Sequence, residues 1–432
     1  MTTSIPRDVD LGALAALPRD GEGPVFGAPW EAQAFAMTLS LHARGVFAWR
    51  EWADALAAAL AAAAARGEPD DGSHYYEHWL SALEHLVDAK KLIPAHELGR
   101  RADEWDAAAR ATPHGKPVEL RRLDAWPDLP LKAWGETYTT LHLWTQIVGK
   151  VRLSQTPWMN HSWHVTLYVT ARGLGTSPIA HGTRTFQIDF DFVDHQLRVL
   201  TSEGRSDGFA LQPQTVAAFY TQLMQTMGKL GLHVKIQRKP NEVAEPIRFD
   251  RDETHRAYDR EYANRFWRIL VQSDRVFKQF RARFTGKCSP VHFFWGAPDL
   301  AVTRFSGRSA PQHPGGIPNL PDWVAREAYS HEVSSCGFWP GGGAFPDAAF
   351  YSYAYPEPAG FPQAPVKPAS AFYNTDLREF ILPYQAVRLS QSPDDALLAF
   401  LQTTYEAAAD LGNWDRGSLE VSAGAARTQS PA

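Results

Sequence analysis

Residues 23–56 have the sequence GPVFGAPWEAQAFAMTLSLHARGVFAWREWADAL, and this stretch decides the fold of the N-terminal part of the chain. Pro29 stands where the first turn of a helix tolerates proline, and Gly45 stands where helices commonly end. We therefore expect two short helices joined by Gly45. Apolar residues recur at helical spacing along both, which predicts one apolar face for each helix. They are Trp30, Ala34, Met37 and Leu41 in the first helix and Trp49, Trp52, Leu56 and Leu60 in the second.

The same spacing predicts two further helices in this part of the chain. The third follows Gly72-Ser73 and ends before Pro94, and a fourth, shorter helix carries Leu98, Ala102 and Trp105. A four-helix unit of this size buries little surface by itself, so we expect part of its aromatic face to meet a partner or the rest of the chain. Packing in the unit's own core is the alternative, because helical spacing does not distinguish the two.

Composition limits the class of protein. The chain has 432 residues, of which 44% are hydrophobic, so it is long enough for two or three domains. The net charge of the chain is −5, so it lacks the excess of basic residues that is typical of a nucleic-acid-binding protein. Its two cysteines, Cys288 and Cys336, give no disulfide framework, which is typical of a reducing compartment. Since no signal peptide or membrane span is recognisable, we expect a cytoplasmic protein that binds neither nucleic acid nor membrane.

The sequence predicts a multidomain chain. Residues 23–112 are the all-α helical domain, and the proline-rich residues 113–125 are a linker. Residues 126–415 show the alternation of apolar and polar residues that is typical of strands, interspersed with helical periods. Residues 1–22 and 416–432 are predicted to be a disordered leader and a disordered tail.

The second domain is predicted to be α+β with a mainly antiparallel sheet. The clearest strand is Arg184–Phe192, and Gln196–Thr201 is expected to pair back with it after a turn at Asp194-His195. Neighbouring strands joined by turns are antiparallel. Further strands are predicted at Trp163–Val169, His233–Arg238, Val291–Phe305 and Phe350–Tyr355, and helices at Gln214–Leu230, Asp252–Thr285, Leu377–Arg388 and Asp394–Leu411.

A weak internal repeat accompanies these elements. Gln212–Leu232 and Ser392–Leu411 each begin near a proline and continue as a helix after a block of strands. Duplication of a β-β-α unit is one interpretation of this similarity.

A pair of aspartates and a pair of histidines in the second domain are candidates for acid–base catalysis and for metal binding. Asp189 and Asp191 are two apart on a predicted strand, so their carboxyl groups share a face at a spacing suited to acid–base work. The alternative is the polar face of an amphipathic strand. His161 and His164 are three apart, which on a strand places them on opposite faces and argues against a shared metal.

Other residue types are also candidates. Cys336 would be a nucleophile if His331 or His292 lay beside it as a base, and a buried inert thiol is the alternative. Tyr351, Tyr353 and Tyr355 share a strand face and could stack a planar ligand, or could belong to the core. By chemical type we select a candidate pocket of His292, Trp295, Arg304, His331 and Trp339. No motif predicts a bound metal or cofactor.

Motifs of the first domain occur in a characteristic order and spacing. They are Gly23-Pro24-Val25-Phe26, Pro29-Trp30-Glu31-Ala32, Phe35-Ala36-Met37, Gly45-Val46-Phe47, Trp49-Arg50-Glu51-Trp52, Tyr75-Tyr76-Glu77 and Trp79-Leu80-Ser81-Ala82-Leu83-Glu84. With these motifs, residues 23 to about 120 resemble the N-terminal helical domain of the nitrile hydratase β-subunit. They resemble the separate nitrile hydratase accessory (activator) proteins more closely.

The resemblance implies a role in nitrile hydration that is not catalytic. Nitrile hydratases act at a cobalt or iron site that an α-subunit holds through a three-cysteine C-x-x-C-S-C claw, and this chain lacks the claw. The resemblance also implies an arginine of a working β-subunit at the position of Ala53, whereas Arg50 lies one turn earlier. The chain therefore departs from both catalytic subunits, and we do not expect the helical domain to be an enzyme.

The function implied is that of an accessory protein that binds a hydratase α-subunit and assists its metal loading or assembly. No cofactor is expected to be bound stably, and cobalt or iron would be present only through the client subunit. A homodimer is left open. The partner-binding residues would be Phe26, Trp30, Phe35, Phe47, Trp49, Trp52, Tyr75, Tyr76 and Trp79.

Two alternatives remain for the whole chain. Residues from about 125 to 415 resemble an uncharacterised bacterial domain family of no assigned activity, through Trp126–Pro130, His292–Gly296 and Tyr353–Pro358. The first alternative is an enzyme or small-molecule-binding protein with its site in this domain, the helical domain being an oligomerisation or docking arm. The second is a structural binding module without any link to nitriles.

Overall fold

A computed structural model describes two compact units, Met1–Arg122 and Leu123–Ala432. The predicted fourth helix lies outside the described residues except for Trp105, and so does almost all of the predicted linker. The described residues are 17–21, 23–69, 74–90, 125–342 and 345–421, together with Val9, Leu14, Gly72, Leu92 and Trp105.

The first unit contains the three helices predicted from residues 23–94. These are α1 (Pro29–Ala43), α2 (Trp49–Ala65) and α3 (Tyr75–Ala89). Proline occupies the first turn of α1, and a positive φ of 74° at Gly45 ends it, as expected. The backbone N–H of Ala48 donates to Glu51 at 3.2 Å, which satisfies a free donor at the start of α2.

The core of this unit is built from aromatic rings. Trp52 and Trp79 are fully buried with ring centroids 4.7 Å apart, and Trp79 Nε1 donates to Thr38 Oγ1 at 2.9 Å. Leu14 and Leu17 are buried in the same core, so part of the predicted disordered leader is ordered.

The predicted apolar face of α1 is correct for Ala34 and for Leu41, which packs against the core, and wrong for Trp30 and Met37. Its buried residues are Ala34, Phe35, Thr38 and Leu39, whereas Trp30 is 38% exposed and Met37 56% exposed. The helix carries apolar residues around most of its circumference, so spacing alone admits more than one face. Contact between Phe35 and Trp79, at a centroid distance of 5.3 Å, selects the face that is buried.

The first sheet of the second unit has six antiparallel strands. They are β1 (Tyr168–Val169), β2 (Gly173–Gly175), β3 (Ile179–His181), β4 (Arg184–Asp191), β5 (Gln196–Thr201) and β6 (Ser206–Ala210). Their order is β1-β2-β4-β5-β6, and β3 also pairs with β4. The predicted pairing of β4 with β5 is confirmed, and the predicted apolar face of β4, which includes Phe186 and Ile188, is buried.

The second sheet also has six antiparallel strands and is the element on which the candidate site is built. They are β7 (His292–Phe294), β8 (Asp299–Ser309), β9 (His331–Trp339), β10 (Ala349–Tyr355), β11 (Phe372–Asn374) and β12 (Glu379–Pro383), in the order β11-β12-β10-β9-β8-β7. A backbone bridge between Leu167 and Phe293 connects the two sheets. The α+β class with antiparallel pairing is thus confirmed.

The structure describes seven α-helices in the second unit. They are α4 (Leu131–Gln155), α5 (Val216–Lys229), α6 (Arg260–Ala282), α7 (Asp322–Ala328), α8 (Tyr384–Arg388), α9 (Pro393–Leu411) and α10 (Arg416–Leu419). Since α10 and the bridge at Glu420 are ordered, part of the predicted disordered tail is structured. Of the helices that the structure describes, none combines the length and the apolar run that a bilayer crossing requires.

Several predicted elements of the second unit are wrong. The segment Trp163–Val169 forms a strand only at β1, and a 3-10 turn at Asn160–Ser162 precedes it. His233–Arg238 does not form a strand. The predicted helix Leu377–Arg388 is β12 followed by the short α8, because Glu379–Pro383 pairs with two neighbouring strands.

Two further differences concern helices. The long helix α6 begins at Arg260, where Asp259 caps it by accepting from Tyr262 N–H, and not at Asp252. The 25-residue α4 has no predicted counterpart, because it is buried on most sides and shows no amphipathic period. Trp126 and Trp134 are buried in the core of the second unit.

The hypothesis of a β-β-α duplication stays a prediction.

Candidate functional site

One face of the second sheet forms the floor of a cavity of about 670 Å³. Side chains alternate between the faces of a strand. On β8, Asp299, Ala301 and Thr303 therefore line the cavity, while Leu300 and Val302 are buried in the core on the other side. Strands β9 and β10 add alternate residues to the floor in the same way. They are Val333, Ser335 and Trp339 on β9 and Tyr351 and Tyr353 on β10.

The phenol of Tyr351 extends across β9 at Gly337. A Cβ atom at Gly337 would lie 2.5 Å from the ring and hydroxyl of Tyr351, so only glycine leaves room for the ring at this position. Tyr351 Oη donates a hydrogen bond to Oδ2 of Asp299 on β8. Burial, with the negative charge of Asp299 next, raises the pKa of Tyr351 well above its ordinary value, so the hydroxyl keeps its hydrogen.

Hydroxyl groups also connect the floor to the wall of the cavity. Thr303 Oγ1 and Ser335 Oγ are 2.8 Å apart on neighbouring strands. The Oη atoms of Tyr353 and Tyr329 are 2.8 Å apart, and Tyr329 directly follows α7. These two contacts hold the hydroxyl groups of the cavity floor in place.

Three carboxyl groups enter the cavity from separate segments. Asp299 begins β8, Glu379 begins β12, and Glu242 belongs to an irregular segment. Burial raises the pKa of Asp299 to about 8 and that of Glu379 to about 7, and it also raises the pKa of Glu242. Among the residues that the structure describes, none of the three has a Lys, Arg or His ion-pair partner.

The backbone of Glu242 is held in an unusual conformation. Its φ is 57°, which is uncommon for a residue with a long side chain and costs about 1–3 kcal/mol. Its N–H donates to the carbonyl oxygen of Pro318 at 3.0 Å, and the N–H of the preceding Asn241 donates to Gln146 at 2.9 Å. The carboxyl group lies against Gly296, where a Cβ atom would be 1.9 Å from Glu242 Oε1.

Tryptophans form much of the wall. Trp158 and Trp323, 43% and 53% exposed, have ring centroids 4.7 Å apart and stand at the mouth. Trp295 is buried deeper, donates from Nε1 to the carbonyl oxygen of Val165 at 2.7 Å, and covers Gly149 of α4. The cavity therefore has an aromatic mouth and an acidic interior.

A short turn and α7 close one side of the cavity. The backbone N–H of His161 donates to the carboxylate of Glu327, with the nearer oxygen at 2.8 Å, and His161 Nδ1 contacts the carbonyl oxygen of Ala328 at 2.9 Å. His164 Nδ1 instead accepts from the backbone N–H of Met159 at 3.2 Å. The two histidines thus hold local structure. Within the described residues, no three His, Cys, Asp or Glu side chains converge on a metal site.

Lys150 of α4 is a cation at the cavity wall. Its ammonium donates to Asn241 Oδ1 and lies 5.8 Å from the ring centroid of Trp295. Burial lowers its pKa to about 8. Within the described residues its hydrogen-bond partner is Asn241, and it forms no ion pair with Glu242, Asp299 or Glu379.

The candidate pocket selected by chemical type is brought together only in part. Trp295 and Trp339 line the cavity. Arg304 does not, because its position on β8 points it to the opposite face, where its guanidinium is 3.5 Å from the ring centroid of Phe280. His292 is buried beside Tyr168, and His331 contacts Ser330 at the start of β9. Alternation along β8 is the physical reason that Arg304 is excluded.

The other chemical candidates have structural explanations. Asp191 accepts from Arg172 at 2.6 Å and from the backbone N–H groups of the following turn, so it stabilises that turn. Asp189 accepts from Gln187 on the same strand at 2.7 Å. Cys336 is buried on the core face of β9, and burial raises the pKa of its thiol strongly, as in an inert cysteine. Tyr351 and Tyr353 line the cavity, whereas Tyr355 donates to the carbonyl oxygen of Pro311.

The predicted partner-binding residues lie mainly in the core of the first unit. Only Trp30 is exposed, and Phe26 is half-buried. The other seven are buried and so are not available to a partner that contacts the folded unit: Phe35, Phe47, Trp49, Trp52, Tyr75, Tyr76 and Trp79. Partner binding itself stays a prediction.

The acidic interior of the cavity has no clear signal in the sequence. Glu242 lies among ordinary polar residues, and no motif connects it with the other two acids. Asp299 and Glu379 each begin an apolar strand, and at these two positions a buried acid could have been suspected. Trp158 and Trp323 are far apart in the chain, and only the fold brings them together.

Comparison with known proteins gives two family matches. Residues 10–125 match the family model described as nitrile hydratase beta subunit, N-terminal. Residues 126–421, most of the chain, match the model described as a family of unknown function, DUF5996. No curated protein matches the chain, and neither does any solved structure. The protein therefore carries a nitrile hydratase beta N-terminal domain and, through the larger part of its length, belongs to the DUF5996 family.

Proposed function

We propose that the second unit binds a small molecule in the cavity between the second sheet and α7. The observation that carries the proposal is a cavity of about 670 Å³ in which three carboxyl groups without ion-pair partners among the described residues lie behind aromatic walls. Binding sites for small molecules are typically concave and mostly apolar, with a few polar groups of perturbed pKa. The cavity has each of these properties.

The experiment that tests this proposal fills the cavity. Ala301 lies on its floor, so Ala301→Phe places a ring in the space that a ligand would occupy. A matched control, Ala180→Phe, adds the same ring at an exposed position of β3 in the other sheet. We expect a screen of chemically diverse fragments by thermal shift to find compounds that stabilise the wild type and Ala180→Phe but not Ala301→Phe. Compounds that stabilise all three proteins equally would contradict the proposal.

We further propose that the first unit binds a nitrile hydratase-type α-subunit and assists its assembly or metal loading. The match of residues 10–125 to the nitrile hydratase beta N-terminal model supports this role. The exposed side chains of Trp30 and Met37, seven residues apart on α1, offer an apolar contact. Because this chain has no cysteine claw, any cobalt or iron would belong to the client.

Co-expression with a nitrile hydratase α-subunit tests this second role. We expect a complex that survives purification and that is weakened in the double variant Trp30→Ala, Met37→Ala. Leu80→Ala removes another exposed apolar side chain, from α3, and is the matched control. Metal analysis of the α-subunit with and without this chain measures the assistance. A failure to form any complex would contradict the role, whatever the second unit binds.

A further inference from the structure

We propose that the ligand of the cavity is an organic cation, with an ammonium group among Glu242, Asp299 and Glu379 and an aromatic or apolar body against the tryptophans of the mouth. This inference depends on the proposed small-molecule function of the second unit. It adds the charge, the orientation and the chemical class of the ligand.

The first argument is the charge of the interior. Three carboxyl groups line one cavity without a cation paired to any of them among the described residues. Burying an unpaired charge is costly, so such groups stay protonated until a counter-charge arrives. An ammonium group supplies that charge and donates up to three hydrogen bonds to carboxyl oxygens. A carboxylate or phosphate ligand would supply no such counter-charge.

The second argument is the aromatic wall. Trp158, Trp323 and Trp295 line the cavity, and cations are attracted to the faces of tryptophan rings at about 6 Å or less. Within the chain itself, the ammonium of Lys150 lies 5.8 Å from the Trp295 centroid. The body of an aromatic amine would bury apolar surface against the same rings.

The third argument is the backbone of Glu242. A positive φ at a long acidic residue is a local cost that persists only where surrounding contacts determine it, and such residues cluster at binding sites. Here the hydrogen bonds of Asn241 and Glu242 to Gln146 and Pro318 hold the segment. They place the carboxyl group over Gly296, next to the start of β8.

The geometry favours an organic cation over a metal ion. Hard divalent cations need several oxygen ligands at about 2.0–2.6 Å. Among the described residues no group of three acidic, His or Cys side chains is close enough to hold a metal. An ammonium group needs fewer oxygen partners than such an ion and accepts them at a longer distance of about 2.7–2.9 Å.

The test compares three molecules of the same shape and different charge. Tryptamine is a cation at pH 8, tryptophol is its neutral counterpart, and indole-3-propionate is an anion. In calorimetric titrations of the full chain we expect tryptamine to bind at least about ten-fold more tightly than tryptophol, and indole-3-propionate not to bind. Equal affinities for tryptamine and tryptophol, or tighter binding of the anion, would overturn the cation but leave the small-molecule site standing.

Substitutions of single carboxyl groups show which of them bind the ammonium group of tryptamine. Glu242→Gln and Glu379→Gln keep the size of each side chain and remove its charge, so we expect tryptamine to lose at least about five-fold in affinity while tryptophol changes little. Glu245→Gln, at an exposed position nearby, is the control and should bind as the wild type does. Unchanged tryptamine binding in both cavity variants would overturn the inference. So would tighter binding of Mg²⁺ than of tryptamine at the same carboxyl groups.

Two further outcomes are also decisive. If either glutamine variant fails to fold by circular dichroism, Asp299→Asn, at the third carboxyl group of the cavity, takes its place and should weaken tryptamine more than tryptophol. If no indole binds the wild type, the cation inference is wrong. The fragment screen with Ala301→Phe then decides separately whether the cavity binds small molecules at all.

Discussion

Tyr351 on β10 donates its hydroxyl hydrogen to Asp299 on β8, across the intervening strand β9. The contact is made over Gly337, the residue paired with Tyr351 on β9 and with Ala301 on β8. It connects three strands on the cavity side of the sheet and fixes one of the three carboxyl groups. The contact therefore links the stability of the sheet to the chemistry of the site.

Substitution of Gly337 by alanine should separate Tyr351 from Asp299. The new Cβ atom would lie 2.5 Å from the ring and from the carbonyl oxygen of Leu300, so the ring or the strand must move. We expect a loss of about 1–3 kcal/mol in the free energy of unfolding, measured by urea denaturation. Gly228→Ala, where a Cβ atom meets nothing within 4 Å, is the control and should not destabilise the protein. Equal stability of the two variants would refute the steric role of Gly337.

Asp299 should make the protein less stable as the pH rises. Burial raises its folded-state pKa to about 8 from an ordinary value of 3.8, so between these values the folded protein binds a proton that the unfolded chain has lost. The stability this proton provides is complete below about pH 3.8 and is lost as the pH rises through about 8. We expect Asp299→Asn to flatten this decline in urea denaturation between pH 5 and 9.

Other titratable groups near Asp299 limit how flat the profile becomes. Glu379, with a pKa raised to about 7 by burial, contributes a decline of the same sign. The groups that face Asp299 are Tyr351, Tyr353, Tyr329, Tyr138, Glu242 and Glu379. A profile for Asp299→Asn that parallels the wild type would show that Asp299 is not the group that titrates.

Trp323→Ala should weaken ligand binding without unfolding the protein. Its ring is 53% exposed and contacts Trp158 at the mouth, so its removal leaves the core unchanged. An aromatic contact contributes about 0.5–1.5 kcal/mol, which predicts a two- to thirteen-fold loss in tryptamine affinity by calorimetry. Trp30→Ala, an exposed tryptophan of the first unit, should leave that affinity as it is. Equal effects of the two variants would contradict a role for Trp323 at the mouth.

Arg304→Lys should affect stability and not binding. The guanidinium is fully enclosed, 3.5 Å from the Phe280 centroid and 4.2 Å from that of Tyr405, and it donates to the carbonyl oxygen of Phe280. Lysine cannot reproduce the planar stacking, so we expect a loss of about 1–3 kcal/mol in urea denaturation. Arg326→Lys, at a partly exposed ion pair, is the control. A loss of tryptamine affinity in folded Arg304→Lys would place Arg304 in the site after all.

Regular elements with a clear period were predictable from sequence, and elements defined by tertiary contacts were not. Pro29 and Gly45 gave the bounds of α1, and alternation gave β4 and β5, because these signals are local. The helix α4 escaped prediction because burial on most sides removes its amphipathic period. The segment of β12 was predicted to be helical, because the strand β10 that pairs with it lies in another part of the chain.

The candidate site shows the same division. Trp295 and Trp339 were selected by residue type and do line the cavity, but Arg304 was selected in the same way and points to the other face. Which face a side chain takes depends on the position of the strand in the sheet. Glu242 reaches the site from an irregular segment held by contacts with α4 and with Pro318, so its role could not be read from its neighbours in sequence.

A crystal structure of the full chain with 5-bromotryptamine tests the central claim most directly, because the anomalous signal of bromine fixes the orientation of the ligand. We predict bromine beside Trp158 and Trp323 at the mouth, with the ammonium nitrogen within hydrogen-bond distance of at least two of Glu242, Asp299 and Glu379. Bromine located outside the cavity, or an ammonium group directed away from all three carboxyl groups, would contradict the account.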